Sequence, residues 1–398
     1  MIVKPKIRGF ICTTAHPLGC AQHVQEQIDY VKAKNLGEGG PKRVLIIGAS
    51  TGYGLSSRIM AAFGYGAQTM GVFFEKESNG VRTATAGWYN SVALEQKAQE
   101  AGLYTKSFNG DAYSDEMKQQ VVAAIKKDWG EVDLVIYSLA APRRQHPKTG
   151  EIAKSVLRPV GKEYTNKSID MSTDQMEMVT LPPATQDDID QTVSVMGGED
   201  WEYWIDILER ENLLARGAMT VAYSYVGPKL TQGVYRNGTI GKAKNHLEAT
   251  AKKLDERFKA IGGRALISVN KALVTQSSSA IPFIPLYFIL LSKVMKEEGL
   301  EEGCIEQIVR LFSKFLFQGG DIPVDKSGFV RLDDREMLAN IQSRVEEGWE
   351  KLSNENLAEL TDLEGYHAGF LKLFGFGLEG IDYEADVDIG QALISSQG

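Results

Sequence analysis

Cysteine is scarce. Only Cys12, Cys20 and Cys304 occur in 398 residues. So low and odd a count excludes a disulfide framework and fits a reducing compartment. An excess of basic residues is also missing. Lys and Arg total 44 against 52 Asp and Glu, for a formal net charge of -8, and no long basic run appears. Nucleic acid and anionic membrane are therefore poor main partners, although a local patch can still hold a phosphorylated ligand. Long hydrophobic runs are absent too. The most apolar stretch, residues 280–291, carries Pro282 and Pro285 and is too short to span a bilayer. The first ten residues mix Lys4, Lys6 and Arg8 with apolar side chains and lack the continuous apolar core of a secretory signal. Internal repeats and low-complexity segments are not found. A soluble cytoplasmic protein is expected.

What is present is ordinary globular material: 43% hydrophobic and 24% charged residues, enough for a sizeable core. Short apolar or β-branched runs at 44–47, 69–74, 104–108, 134–138, 219–224 and 265–269 are bounded by Gly, Asp, Asn or Ser. Between them, 55–63, 88–101, 115–129 and 240–261 show helical periodicity. This alternation predicts an α/β fold, a Rossmann-type doubly wound parallel sheet with helices on both faces. One Rossmann-like domain is expected over 1–398. Its parts are an N-terminal extension (1–42), a cofactor-binding core (43–275), and a substrate loop with a helical C-terminal extension (276–398). Helices are expected at 304–317 and 333–352, and a buried helix around 280–299. The rhythm breaks at 143–200, where Pro, Gly, Thr and charge replace periodicity. So long a connection, leaving the carboxyl edge of the sheet, predicts a hairpin-bearing flap over the substrate.

The first strand–helix junction reads Gly48-Ala49-Ser50-Thr51-Gly52-Tyr53-Gly54. Glycines there let the backbone turn sharply and approach a pyrophosphate, which the helix N-terminus then faces. The spacing is G-x-x-x-G-x-G rather than the commonest G-x-G-x-x-G, so the flanking strand and helix carry much of the argument. Glu75 ends the second strand run. A carboxylate there accepts hydrogen bonds from ribose hydroxyls and repels a 2′-phosphate, which selects NADH. Asp111 follows the third run, where the adenine edge would lie. Ser138-Leu139-Ala140-Ala141 follows the fourth, beneath the nicotinamide ribose.

Tyr235 and Lys244 are the candidate acid and its cation. Their spacing of nine is about 900° on one helix, which puts them on opposite faces. They converge only if the chain is broken between them. Asn237-Gly238 supplies a break, and Thr239 is expected to cap a helix from Ile240. A free phenol has a pKa of about 10, so a nearby ammonium is expected to lower it and to hold the cofactor ribose. Lys242 is a rival cation on the same helix. Tyr225, after the fifth run, is a second phenol at the same edge.

Cys12, His16, Cys20 and His23 interleave singly and do not match the paired spacing of zinc ligands, so no metal is expected. Trp201, Tyr203 and Trp204 read as amphipathic core packing. Arg143, Arg144, His146 and Lys148 form a small basic patch at the base of the flap. It is either a solvated loop or a contact for ligand phosphates.

At these residues the chain resembles the trans-2-enoyl thioester reductases with a Tyr-x8-Lys motif, which include trans-2-enoyl-CoA reductases and bacterial enoyl-acyl-carrier-protein reductases. The resemblance runs through Met1-Ile2-Val3-Lys4, His16-Pro17 with Gly19-Cys20, the turn 48–54, Gly87-Trp88-Tyr89-Asn90 and Tyr137-Ser138-Leu139-Ala140. It continues through Met196-Gly197-Gly198-Glu199-Asp200-Trp201, Ala222-Tyr223-Ser224-Tyr225, Gly238-Thr239-Ile240-Gly241-Lys242-Ala243, Ser268-Val269-Asn270-Lys271-Ala272 and Ile281-Pro282 with Pro285-Leu286-Tyr287. It implies Tyr235 as proton donor, Lys244 as a contact of NADH, and Tyr225 as the holder of the thioester carbonyl. It implies a cofactor lining of Gly48, Ala49, Ser50, Thr51, Gly52, Tyr53, Phe74, Glu75, Asp111, Ala112, Leu139 and Ala140, with Leu273, Val274 and Thr275 at the nicotinamide amide. Residues 277–281 would shape chain-length preference, and Gln276 stands where a smaller residue is implied. The substrate would be an enoyl-acyl carrier protein or enoyl-CoA ester, reduced by a monomer in the last step of fatty-acid elongation. The competing readings are a carbonyl-reducing short-chain dehydrogenase, disfavoured by the spacing of nine, and a non-catalytic NADH sensor.

Overall fold

The structure, a computed structural model, describes residues 1–8, 11–275 and 281–396. A two-residue antiparallel pair, β1 (Ile7–Arg8) and β2 (Ile11–Cys12), opens the chain, followed by helix α1 (Pro17–Lys32). Pro17 pre-sets the first turn of α1, and the His16 ring caps it by accepting the Gly19 N–H. The alternating part then begins with β3 (Arg43–Ile47) and α2 (Gly52–Ile59), which runs on as a π turn, Met60–Gly64. Next come β4 (Gln68–Phe73), α3 (Ala86–Glu100), β5 (Thr105–Asn109), α4 (Asp115–Asp128) and β6 (Val132–Tyr137). The flap follows as two hairpins, β7 (Arg143–Gln145) with β8 (Ile152–Lys154) and β9 (Tyr164–Asp170) with β10 (Gln175–Leu181). Helices α5 (Gln186–Met196) and α6 (Glu199–Arg210) lead back to β11 (Leu214–Ser224), α7 (Thr239–Lys259) and β12 (Arg264–Val269). The remainder is α8 (Ile284–Glu297), α9 (Cys304–Leu311) with a second π turn, β13 (Phe329–Arg331), α10 (Ala339–Lys351), α11 (Leu357–Leu360) and α12 (Leu363–Lys372).

Seven strands form one parallel sheet in the order β13-β12-β11-β6-β3-β4-β5. This is a Rossmann-type doubly wound sheet, and its order reverses between β3 and β6, where Ile47 lies beside Tyr137. Such a reversal opens a crevice at the carboxyl ends of the strands. Alternate residues of the central strand supply two layers. Val44 and Ile46 pack with α1, α2, α8 and α9, whereas Leu45 and Ile47 pack with α4, α6 and α7. Burial on both faces explains why β3 reads as a continuous apolar run. Val3 of the N-terminal segment and Phe370 and Phe374 of the C-terminal one join the first layer. No helix among the described residues is long and apolar enough to cross a membrane.

All six expected strands form. β4 stops at Phe73, leaving Phe74 beyond it. β11 starts five residues before the expected 219, because an irregularity between Leu214 and Met219, with Gly217 at a φ of 78°, lets it pair with β6 in two registers. The seventh strand, β13, spans three residues and carries no pattern of its own. The helix expected from 333 begins at Ala339. The flap has its hairpins, but from Gln186 onward it is helical. Thr185 and Asp188 cap α5 reciprocally, a signal that the weak periodicity concealed. Thr239 is not the cap of α7. It is the first helical residue, Gly238 precedes it, and its hydroxyl donates to the Val156 carbonyl of the flap.

One buried ion pair ties the second layer together. Lys118 of α4 meets Asp200 of α6 at 2.7 Å, each 2% exposed. The Lys118 ammonium also donates to the Ala112 and Tyr113 carbonyls, and the Tyr137 hydroxyl donates to Asp200. Removing one partner strands a buried charge. Asp200→Ala is expected to lower unfolding free energy by about 3–5 kcal/mol in chemical denaturation. A loss of about 0–1 kcal/mol, as for an exposed pair, would refute that role.

Candidate active site

Three glycines at the first turn each answer a different constraint. Gly48 (φ 86°) and Gly52 (φ 53°) adopt left-handed backbone. A Cβ on Gly48 would collide with the Ser138 carbonyl, and one on Gly54 with the Gly48 carbonyl. The turn is therefore pressed against both the segment after β6 and its own helix. The Gly48 and Ala49 N–H groups both donate to the Val72 carbonyl, at 2.9 and 3.1 Å. The Thr51 side chain does not cap α2, which suits its N-terminus to an anionic ligand. Thr275 reaches the turn as well, with its methyl 3.9 Å from the place of a Gly52 Cβ. Leu139 lies beside Gly48, and the Tyr53 hydroxyl donates to the Lys271 carbonyl at 3.0 Å. The turn 48–54, the segment from Ser138 and the loop 271–275 thus converge at the switch point. This cradle, which has no Cβ at 48, 52 and 54, fits a dinucleotide.

Glu75 sits at the rim of the cradle. Its carboxylate accepts the Ser50 hydroxyl at 2.6 Å, and its N–H donates to Asn109. Burial pushes the carboxyl up, while hydrogen bonds from Ser50 and Thr85 oppose the rise. Gly87 is required opposite it, since a Cβ there would collide with that carboxylate. Phe74 beside it is 77% exposed, an unusual state for a large apolar ring. Asp111 is exposed and accepts the Tyr113 N–H, and Ala112 is buried. Asn90, below the turn, donates to the Ser50 carbonyl at 3.2 Å and leaves its own side-chain oxygen unpartnered. Asn90 supports the turn and Asn109 holds the Glu75 backbone on both sides; neither was given a role from the sequence, although Asn90 ends the run 87–90.

Tyr225 and Tyr235 come together. Their rings meet edge to face with centroids 4.8 Å apart. Tyr235 belongs to a tight coil, 231–237, that ends against the flap. The Val160 N–H donates to the Asn237 carbonyl and the Thr239 N–H to the Arg158 carbonyl, each at 2.9 Å. Lys244 lies in the second turn of α7, and Lys242 is exposed. Among the described residues, no hydrogen bond joins Tyr235 to Lys244, and Lys244 has no ion pair. The expected lowering of the Tyr235 pKa is not found. Burial and the nearby Glu336 charge push that phenol up. Burial first, then Glu336, holds Tyr225 well above the ordinary tyrosine value. Both phenols therefore keep their protons at neutral pH. Burial lowers Lys244 to about 8, against a small opposing effect of Glu248.

Other residues stand where expected or elsewhere. Trp201 and Trp204 are fully buried in the core. Arg144 is buried as well, not solvated, and pairs with Glu199 at 2.7 Å beneath the flap. That removes it from any exposed basic patch. Cys20 and His16 are buried, and the His16 ring packs on Tyr383 at 4.9 Å. Residues 276–280 lie outside the described residues. Ile281 packs with Val234, Ile240, Phe283 and Ile284, and the flap residues Leu157, Tyr164, Val179 and Leu181 border that cluster together with Tyr235. Glu336 was missed entirely. It accepts the Tyr225 hydroxyl at 2.9 Å and the Tyr287 hydroxyl at 2.7 Å from far along the chain.

Three family models match the chain. Residues 2–80 match the NAD(P)H binding domain of trans-2-enoyl-CoA reductase, and residues 82–317 match the trans-2-enoyl-CoA reductase catalytic region. Residues 324–387 match a model described as an enoyl reductase FAD binding domain. The residues there do not fit a flavin. β13 runs into Asp333 and Asp334, paired with Arg331 and Arg310, rather than into a glycine turn. The apolar face behind it, with Val345, Tyr366 and Phe370, is buried in the core of the sheet.

The enoyl-(acyl-carrier-protein) reductase (NADH) of Coxiella burnetii is 57% identical over 397 residues, 99% of this chain and 98% of that protein. The Opitutus terrae protein of the same name is 57% identical over 388 residues, 98% of each. The solved structure of Treponema denticola trans-2-enoyl-CoA reductase in complex with NAD superposes with a TM-score of 0.95 at 49% identity, over 99% of this chain and 100% of that one. That of the Clostridium acetobutulicum trans-2-enoyl-CoA reductase in complex with NADH gives 0.95 at 44% identity, over 98% of each. With that likeness along its whole length, and with the glycine cradle and paired phenols, this chain belongs to the trans-2-enoyl-CoA reductase family.

Proposed function

We propose that this chain uses NADH to reduce the carbon–carbon double bond of trans-2-enoyl thioesters to the saturated acyl thioester. The contact of the Tyr225 and Tyr235 phenols, beside the loop that reaches the cofactor turn, carries this reading. NADH, when bound, supplies a hydride for the β-carbon. The chain must hold the thioester oxygen, on which negative charge then develops, and return a proton. Two protonated phenols side by side are suited to this: Tyr225 holds the thioester oxygen, and Tyr235 donates. Their donation strengthens as charge builds on the enolate oxygen. Protonation at the α-carbon completes the reaction. Lys244, an ammonium without an ion pair, binds the cofactor ribose. Gly48, Ala49, Ser50, Thr51, Gly52 and Tyr53 take the pyrophosphate, and Phe74, Glu75, Asp111 and Ala112 the adenosine end. Leu139, Ala140, Leu273, Val274 and Thr275 take the nicotinamide end.

The curated relatives are named for the carrier-protein ester and the solved structures for the CoA ester. Both esters present the same reacting atoms. We read the role as fatty-acid elongation, carried out by a cytoplasmic monomer that acts on carrier-protein or CoA esters.

Two measurements test the chemistry. NADH oxidation should follow addition of crotonyl-CoA, and absence of turnover with any enoyl thioester would remove the proposal. Tyr235→Phe should lower kcat by about 100-fold or more and leave NADH binding intact. A fully active variant would take the proton from Tyr235.

Cofactor choice tests Glu75. On this assignment its carboxylate would repel a 2′-phosphate, so NADH should be preferred over NADPH by about tenfold or more, and Glu75→Ala should narrow the gap. Equal rates in the unmodified protein would refute the assignment.

Lys244 gives a pH dependence. Its ammonium loses its proton as pH rises through about 8 in the free protein. Bound cofactor favours the charged form, so NADH affinity should be full below that pH and weaken above it. In Lys244→Arg the cation does not titrate in this range, so the profile should be flat. Fluorescence titration of NADH from about pH 6.5 to about 9.5 checks both, and a flat profile for the unmodified protein would count against Lys244.

A further inference from the structure

Glu336 lies in the turn between β13 and α10 and is fully buried. Three donors converge on its carboxylate. Oε1 accepts the hydroxyls of Tyr225 (2.9 Å) and Tyr287 (2.7 Å), and Oε2 accepts the Ala272 N–H (2.8 Å). Gln342 of α10 donates to the Glu336 carbonyl at 2.7 Å and to the Tyr287 hydroxyl at 3.3 Å, which fixes the turn itself. The buried Lys271 ammonium stands close by, donating to the Ala272 carbonyl at 3.1 Å and facing Glu301 at 3.4 Å. A buried carboxylate is costly unless its lone pairs are filled. Here they are filled by groups that lead to the two halves of the site. Tyr225 adjoins Tyr235. Ala272 immediately precedes residues 273–275, the last of which meets the cofactor turn.

We propose that Glu336 is a positioning residue for the reduction: in the free protein its carboxylate ties the Tyr225 phenol to the backbone of the loop 272–275, and thereby presets the place at which the thioester oxygen will be held relative to the nicotinamide. The proposal rests on the roles given above to Tyr225 and residues 273–275. A phenol has one proton to give. When Tyr225 donates to the thioester oxygen it releases Oε1, and rotation about its C–O bond suffices. The carboxylate keeps Tyr287 and the Ala272 N–H, so neither the ring nor the loop has to move. Hydride transfer depends steeply on such placement, since a displacement of about 1 Å can cost on the order of 100-fold in rate.

Glu336→Gln separates this role from simple filling of space. The amide has the same shape but offers one acceptor and one N–H donor face. Turned either way, it sets an N–H against Ala272 or against the two phenols. In steady-state assays with crotonyl-CoA and NADH, Glu336→Gln should lower kcat by about 10- to 100-fold, with folding retained in thermal melts. Combined with Tyr225→Phe, it should cost less than the product of the two single losses, because the tie is already cut. Losses that multiply to within about twofold would mean independent action and would overturn the proposal, as would a Glu336→Gln enzyme with unchanged kcat and KM. Should Glu336→Gln not fold, Glu336→Asp keeps the charge and withdraws the acceptor by one methylene; the same loss is expected, and unchanged kinetics overturn the idea. Failure of the unmodified protein to oxidise NADH with any enoyl thioester would instead strike the functional reading itself.

Discussion

The close approach of α2 to the end of β3 is the constraint on which the site depends. The Gly54 backbone lies against the Gly48 carbonyl, where no other residue type leaves room. That contact aims the uncapped N-terminus of α2 into the crevice opened by the reversal of strand order between β3 and β6. Every other part of the site is measured from this point. Ser138 touches Gly48 from just after β6, Thr275 approaches Gly52 from beyond β12, and Tyr225 directly follows the strand between them. A parallel sheet brings the carboxyl ends of its strands to one edge, so residues distant in sequence meet without long loops.

The C-terminal third extends the same logic. β13 adds to the sheet beside β12, and the Leu332 and Asp333 N–H groups both donate to the Val269 carbonyl, at 2.8 and 3.1 Å. Gly48 and Ala49 use the Val72 carbonyl in the same way. At the first junction this arrangement starts the glycine turn 48–54. At the last it bends the chain inward and carries Glu336 behind Tyr225. Carboxylates and arginines replace glycines after β13, so the junction delivers an anion to the core instead of receiving one from solvent. A segment matched to a flavin-binding model thus contributes a buried side chain and no flavin cradle.

These differences track what could be read from the residues. The glycine turn was legible because backbone geometry admits only glycine at Gly48, Gly52 and Gly54. The strands were legible because both faces of the sheet are covered, which leaves unbroken apolar runs such as 44–47. Tyr225 was found from its place at a strand end. Glu336 was not, since the run Asp333-Asp334-Arg335-Glu336 reads as the charged first turn of the helix expected over 333–352, whereas that helix starts at Ala339 and the run is a turn that enters the core. Its burial is a tertiary fact, created by Tyr225 and Tyr287, which lie 111 and 49 residues away. The raised pKa of Tyr235 escaped for the same reason: burial is its main cause and the charge on Glu336 the second, and both are tertiary. β13 was invisible because three residues cannot show a period.

The spacing of Tyr235 and Lys244 remains the most informative feature, though not through a direct bond between them. A continuous helix would place them on opposite faces. The chain instead coils through 231–237, breaks at Gly238 and restarts as α7. A Cβ on Gly238 would strike the Val234 carbonyl, and one on Gly241 the Arg236 carbonyl. The restart has no side-chain cap. Flap backbone supplies what a cap would, with the Arg158 carbonyl accepting the Thr239 N–H and the Val156 carbonyl the Thr239 hydroxyl. The flap is in turn anchored to α5 through Thr192, whose hydroxyl accepts the Val156 N–H at 3.1 Å. The long insertion after β6 is therefore no ornament on a dinucleotide fold. It holds open the helix break that gives Tyr235 its own backbone, next to Tyr225 and apart from Lys244. That separation is what the proposed function requires, with one residue serving the substrate oxygen and the other the cofactor.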